Sequence, residues 1–214
     1  MVWKSPCARY VGLSVDWCYF SSMSIEARTD TREAILEAAR ATVQRHGYNA
    51  LSYRDLGKEV GVKSSSVHYH FPTKADLGEA LAERYADDFA VLLEDLADKF
   101  PQHDDLLQAY ANVFRGGLED GDRMCLCSVM AAEISALPQA VRLQIDRFNK
   151  INVAFLYKSL RNRHPDAEAA KLEVQALAIF AAVEGAQLIA HGRGSDLRTF
   201  DDIVAGYTAS GLFS

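Results

Sequence analysis

Apolar side chains recur at helical intervals from Thr29 almost to the end of this chain. Ile35, Leu36, Ala39 and Val43 fall at i, i+1, i+4 and i+8 and line one face of a first helix. Thr29 or Asp30 can cap it, and His46-Gly47 stops it, since glycine tolerates the left-handed cap conformation. Ser52 caps a short second helix, with Asp55 three residues on as an acidic variant of the capping box. Leu56 and Val60 face inward there, and Gly61 ends it. A third short helix covers about 64–70, with Val67 and Phe71 as its apolar contacts. Pro72 closes it, because a residue before proline avoids the helical region. Thr73, with Asp76, caps a long fourth helix carrying Leu77, Leu81, Tyr85, Phe89, Leu92, Leu93 and Leu96 to about Lys99. Beyond Pro101 the pattern predicts helical segments over 104–117, 123–136, 138–162, 166–191 and 197–212, with breaks at Gly116-Gly117, Gly121, Gly192 and Gly194. No stretch alternates as a strand does. The expected fold is all-α: a three-helix head over 25–77, joined through a continuous fourth helix to a larger helical body over 78–214.

Residues 1–24 break the pattern. They hold both tryptophans, Trp3 and Trp17, and two of the four cysteines, Cys7 and Cys18, without a sustained helical period. Asp16 interrupts the apolar stretch and Lys4 is nearly alone as an early cation, so the segment makes a poor signal peptide. Met23-Ser24-Ile25-Glu26 reads like a natural start, which makes the extension either a disordered arm or a mis-assigned upstream start. With 49% apolar residues the remainder can fill a core. Four cysteines are too few for a disulfide scaffold, and no run approaches 18 uncharged apolar residues, so a cytoplasmic chain without a membrane span is expected. Gly-rich phosphate loops, His-Glu-x-x-His sites and nucleophile elbows are absent from the sequence, which points away from an enzyme and from a metal or cofactor.

Ser52 to Phe71, SYRDLGKEVGVKSSSVHYHF, places two short helices either side of a Gly61-Val62 turn. That is helix-turn-helix spacing, in which the second helix enters the DNA major groove. Its outward face offers Lys63, Ser64, Ser65, Ser66, His68, Tyr69 and His70, a cation with short polar and aromatic donors suited to phosphates and base edges. The histidines could equally be merely solvated, and Tyr69 partly core. Residues 29–77 resemble the TetR family of bacterial regulators: the Thr31-to-Ala39 helix, His46-Gly47-Tyr48, Arg54-Asp55-Leu56 and above all Gly61 to Leu77 carry the resemblance. Lys63 stands where many members have Ser or Thr as the cap of the third helix, which makes Ser64 the candidate cap here. The resemblance implies Lys63, Ser64, Ser65, Ser66 and His68 near base edges. It implies Tyr69, His70 and Lys74 near the backbone, and Ser52, Tyr53 and Arg54 as phosphate anchors.

The same resemblance implies a homodimer, a double-stranded DNA operator and a small-molecule effector bound in the body. Candidates for an apolar or aromatic effector pocket are Tyr85, Phe89, Tyr110, Phe114, Met130, Phe148 and Phe155, although aromatics at helical spacing are usually core. Met124-Cys125-Leu126-Cys127-Ser128-Val129-Met130-Ala131-Ala132-Glu133 resembles a subgroup whose mid-body helix lines the pocket. Cys125 and Cys127 are either small buried hydrophobes or a redox or electrophile sensor activated by Arg123. The helix over 166–191 is apolar nearly all round, which calls for a covering partner. Phe180, Val183, Gly185, Ala186 and Gln187, extended by Ile203 and Tyr207, are the candidate dimer face. The expected activity is that of a ligand-released repressor, with a thiol sensor or a helical adaptor that does not bind DNA as alternatives.

Charge sharpens this division. The chain carries a formal net charge of −6, an average that argues against a general nucleic-acid binder. The head, however, holds eight basic against seven acidic side chains, and the body 13 against 21. Gly61 to Lys74 contains Lys63 and Lys74 and no acid. The acidity belongs to the body, and one short basic face is left for contact.

Overall fold

Asp30 starts the first helix by accepting a hydrogen bond from the Arg32 amide. The computed structural model describes residues 30–213, so the expectations for residues 1–24, for Cys7 and Cys18 and for Thr29 as a cap lie outside the described residues. Nine α-helices follow in order among them: α1 Thr31–His46, α2 Tyr53–Val60, α3 Ser64–His70, α4 Lys74–Lys99, α5 His103–Glu119, α6 Leu126–Ala132, α7 Gln139–Arg163, α8 Ala169–Gly192 and α9 Leu197–Ala209. Short 3₁₀ turns cover Tyr48–Ala50 and Ile134–Ala136. No strand occurs among the described residues.

In the head, Ile35, Leu36, Ala39 and Val43 of α1 meet Leu56, Val67 and Phe71, all buried. Gly61 takes a left-handed conformation, φ +79° and ψ +25°, and its amide and that of Val62 close α2. Gly57 lets α2 approach the turn: a Cβ there would stand 2.9 Å from the Val62 carbonyl oxygen. Thr73 and Asp76 form the complete reciprocal capping box that starts α4. At α2 only half the expected box forms. Ser52 accepts from the Asp55 amide, while the Asp55 carboxylate turns to Lys58 at 3.6 Å.

α4 belongs to both units. Leu77 and Leu81 seal the head, and Tyr85, Phe89, Leu93 and Leu96 enter the body, where α4 packs along α7. α8 lies between α7 and α9 and touches α5. It is the one helix among the described residues long and apolar enough to cross a membrane, yet these neighbours bury one of its faces. One continuous set of buried apolar residues runs from head to body.

Two expectations about element ends are corrected. Gly116-Gly117 does not break a helix: α5 runs on to Glu119. Gly117 is there because the chain comes back over it, so that a Cβ would meet the Arg123 carbonyl oxygen at 2.7 Å and the Gln187 amide at 3.3 Å. Gly47 stops α1 at φ +84°, a positive φ that favours glycine, but its ψ of +167° lies outside the left-handed helical region. Its missing Cβ leaves room for the Glu133 carboxylate. Gly117→Ala should therefore lower stability by about 1–3 kcal/mol, the usual cost of overpacking, although alanine is the better helix former. Thermal denaturation of the variant checks the sign.

Candidate nucleic-acid interface and interior pocket

Val67, with no exposed surface, and the buried Phe71 pin α3 against α1 and α2 and thereby aim its other face outward. Lys63, Ser64, Ser65, His68 and Tyr69 are exposed on that side, and Ser66 and His70 are half-buried. Tyr69 is 83% exposed, which removes it from the core and leaves a large amphipathic ring free for a partner. Lys63 itself holds the N-cap position, with extended backbone and no side-chain cap bond, and Ser64 is the first helical residue. The cap expected of Ser64 is thus not formed, and its hydroxyl stays on the open face.

Two other expected contact residues are held within the head. The Tyr53 hydroxyl donates to the Phe71 carbonyl at 2.9 Å, and its ring packs on His68 at 4.4 Å. Burial, with the nearby Asp76, pushes its pKa up to about 12. Tyr53 therefore braces α2 against the end of α3 instead of offering a free hydroxyl to phosphate. Lys74 donates to the Asn49 carbonyl at 3.0 Å and lies over the Tyr48 ring, and burial lowers its pKa against the pull of Glu133. Of the second-helix residues, Arg54 stands exposed, and the half-buried Ser52 accepts from the Asp55 amide as the cap.

The attachment of head to body rests on residues without a motif of their own. Glu133, just after α6, accepts from the Tyr48 amide at 2.9 Å, from the Asn49 amide at 3.3 Å and from the Asn49 side chain. Gln44 of α1 donates to the Met124 carbonyl at 2.7 Å, on the other side of α6. Tyr48 is wedged under α4, where a Cβ on Gly78 would stand 2.6 Å from its ring, and its hydroxyl donates to the Lys74 carbonyl. The resemblance had drawn attention to the segment ending in Glu133, but nothing in its sequence pairs it with residues 85 positions upstream.

In the body the expected pocket aromatics do come together, as a packed core. Tyr85, Phe89, Tyr110, Phe114, Phe148 and Phe155 form a chain of ring contacts at 5.0–6.1 Å. Such stacked and edge-on pairs hold a core together as well as they would hold a ligand. Met130 is buried beside them. Of the expected set, Tyr85, Phe89, Phe114 and Cys125 line a cavity of about 20 Å³ that they share with Arg40, Gln44, Leu92, Val113, Gly117, Arg123, Met124 and Gln187. That is room for one or two water molecules. The polar interior is tied: Tyr110 donates to Asn152 at 2.8 Å, and Gln187 bridges the Cys125 amide and the Phe114 carbonyl at 2.9 and 2.7 Å. Ser128 donates to Glu184, whose carboxyl is pushed up by burial.

Cys125 and Cys127 are both free and buried. Burial, with Glu184 nearby, drives the Cys125 thiol far up, and burial with Cys125 does the same to Cys127. Arg123, expected to activate them, pairs with Asp120 at 3.3 Å. The low-pKa thiol the sensor alternative needs is not present in this state.

Burial also divides the residues expected at a dimer face. Phe180, Val183, Ala186 and Gln187 are buried inside the protomer, Phe180 against Phe148 at 6.2 Å, so they are not available to a partner. The exposed side of α8 carries Val174, Leu177, Leu188 and Ile189 instead. Gly185, Ile203 and Tyr207 are half-buried and border it.

The model for bacterial regulatory proteins of the tetR family matches residues 35–81, the α1–α4 head. The α1–α4 head is that of the TetR family of bacterial regulatory proteins. An uncharacterized HTH-type transcriptional regulator of Haemophilus influenzae is 31% identical over 90 residues, 42% of this chain and 48% of that relative. The HTH-type transcriptional repressor AcnR of Corynebacterium glutamicum is 32% identical over 101 residues, 47% of each. The match thus spans about half the length of these curated relatives. A TetR transcriptional regulator from Legionella pneumophila superposes with a TM-score of 0.80 at 26% identity, covering 86% of this chain and 99% of that one. The likeness to this TetR regulator thus extends through the body.

The thiols supply a test. A raised thiol pKa contributes stability that is fully present below the ordinary value of 9.0 and is lost as pH rises past it. Native protein should leave Cys125 and Cys127 unlabelled by iodoacetamide at pH 8, and urea-unfolded protein should label both, as read by peptide mass mapping. Stability should decline above about pH 9 less steeply in a Cys125→Ala, Cys127→Ala variant.

Proposed function

We propose that this regulator binds a near-palindromic operator as a homodimer, represses transcription there, and releases the DNA when a small molecule occupies the body. The observation that carries the reading is α3: a helix pinned by Val67 and Phe71, with Lys63, Ser64, Ser65, His68 and Tyr69 turned outward and no acid between Gly61 and Lys74. Such a face can lie in a major groove, with the serines and His68 at base edges and Lys63, Tyr69, His70 and Arg54 at phosphates. The family membership and the name of AcnR, a transcriptional repressor, support it. The head would comprise residues 25–77 and the effector and dimerisation body 78–214. Such a protein works in the cytoplasm and needs no cofactor.

Val174, Leu177, Leu188 and Ile189 on α8, bordered by Ile203 and Tyr207 of α9, are the surface we assign to the two-fold partner. Two recognition helices would then reach successive major grooves roughly one helical turn apart. Because both must engage together, a small tilt of α4 would cost most of the affinity.

Gel shift and footprinting with DNA upstream of the gene test the reading, and absence of salt-sensitive binding to any fragment of a genomic selection would favour the adaptor. Lys63→Ala should weaken operator binding and reduce the log–log salt slope by about 1, the signature of one lost phosphate contact. Leu177→Glu with Leu188→Glu should yield a folded monomer by sedimentation, with operator affinity down by at least about a hundredfold. A variant that stays dimeric sinks the assigned surface.

A further inference from the structure

We propose that the cavity between α1, α4, α5 and α8 receives a small organic carboxylate with an apolar, preferably aromatic, body, held by Arg40 and Arg123. The proposal rests on the effector-responsive reading above and names the class of ligand. The cavity wall contains two arginines and no acid, together with Tyr85, Phe89, Phe114 and Leu92. A guanidinium brought into an apolar enclosure is costly unless its donors are met, and Arg123 has one that is not. Arg123 reaches Asp120 with one terminal nitrogen at 3.3 Å, while its Nε is sealed from solvent and has no hydrogen-bond partner. Arg40 is 9% exposed, lies 5.1 Å over the Tyr85 ring and donates through Nε to Gln44 at 3.3 Å. A carboxylate offers the planar pair of acceptors that a guanidinium fork matches, and the aromatic walls suit an aryl group behind it.

Glu184, behind Cys125, would favour an amine if it were ionised and open to the cavity. It is not part of the cavity wall, and burial drives it toward the neutral form. The cavity is only about 20 Å³, so a ligand enters by parting the wall. Leu92 and Arg123 are the half-buried members of that wall, where the cavity comes nearest to solvent. Arg40 and Gln44 belong to α1 of the head, and Gln44 also holds the Met124 carbonyl at 2.7 Å. A carboxylate drawing on Arg40 therefore acts on the head directly, and by linkage its binding and operator binding must affect each other equally.

The test uses the full chain and benzoate, phenylacetate and cinnamate, each beside its carboxamide, with benzylamine as the cationic control. Calorimetry reads binding, and competition against labelled operator reads the coupling. At least one acid should bind and weaken operator affinity, with its carboxamide at least about tenfold weaker. Arg123→Met should remove that preference, lowering acid affinity by about tenfold and leaving the carboxamide unchanged. Arg40→Met should do the same, and if it does not fold, Arg123→Met carries the result. Equal binding of amide or amine, an acid preference that survives Arg123→Met, or no binding by any acid overturns the proposal. Failure to bind any operator overturns the regulator reading instead, and calorimetry still decides the carboxylate site.

Discussion

One helix serves two cores. α4 is 26 residues long, about 39 Å at the usual rise, and its first two turns close the head while the remainder enters the body. The Thr73–Asp76 capping box fixes where it begins, so the head cannot shift along it without breaking the box. α1, α5, α6 and α7 all pack against that shared axis. α1 and the 3₁₀ turn at Tyr48 press on one side of it, and α7 runs along the other. A rotation of α4 in the body is therefore also a rotation in the head.

A single helix would still permit swivelling, and the α6 segment removes that freedom. The Met124 carbonyl and the Glu133 carboxylate bracket α6 and bind α1 and its following turn from two directions. Between these anchors, α6 turns Cys127 and Met130 into the body core and Ser128 toward Glu184, with Cys125 packed at its N-cap. The segment thus has one side in the interior and its two ends on the head. That placement gives the cavity beside it mechanical consequence, since any change in its wall is felt at α1.

Local chemistry was the legible part of the sequence. The caps at Asp30, Ser52 and Thr73, the turn at Gly61 and the apolar faces of α1 to α4 are each decided by neighbours within a few residues, and the structure agrees with them. Positions decided by distant chain were read less well. Gly117 looks like a helix breaker until Arg123 and Gln187 are seen packed on it, and nothing near Lys74 in the chain foretells its contacts with Asn49 and Tyr48. α8 is apolar on two faces, and periodicity cannot tell which face meets its own protomer. The structure gave the inner one to Phe180, Val183, Ala186 and Gln187. The exposed face of α3 was legible because it lies on one short helix, whereas the cavity joins residues from α1, α4, α5, α8 and the loop before α6.

The Glu133 contact carries a consequence for how such proteins can be recombined. A head cut out at residue 77 would leave behind its acceptor for the Tyr48 and Asn49 amides, because that acceptor lies in the body. A foreign head with a side chain in place of Gly47 would have to push that carboxylate aside, away from the two amides it accepts from. Positions 47–49 and 133 thus form one module despite their separation in the chain. A working chimera has to exchange the 124–133 stretch along with the DNA-binding helices.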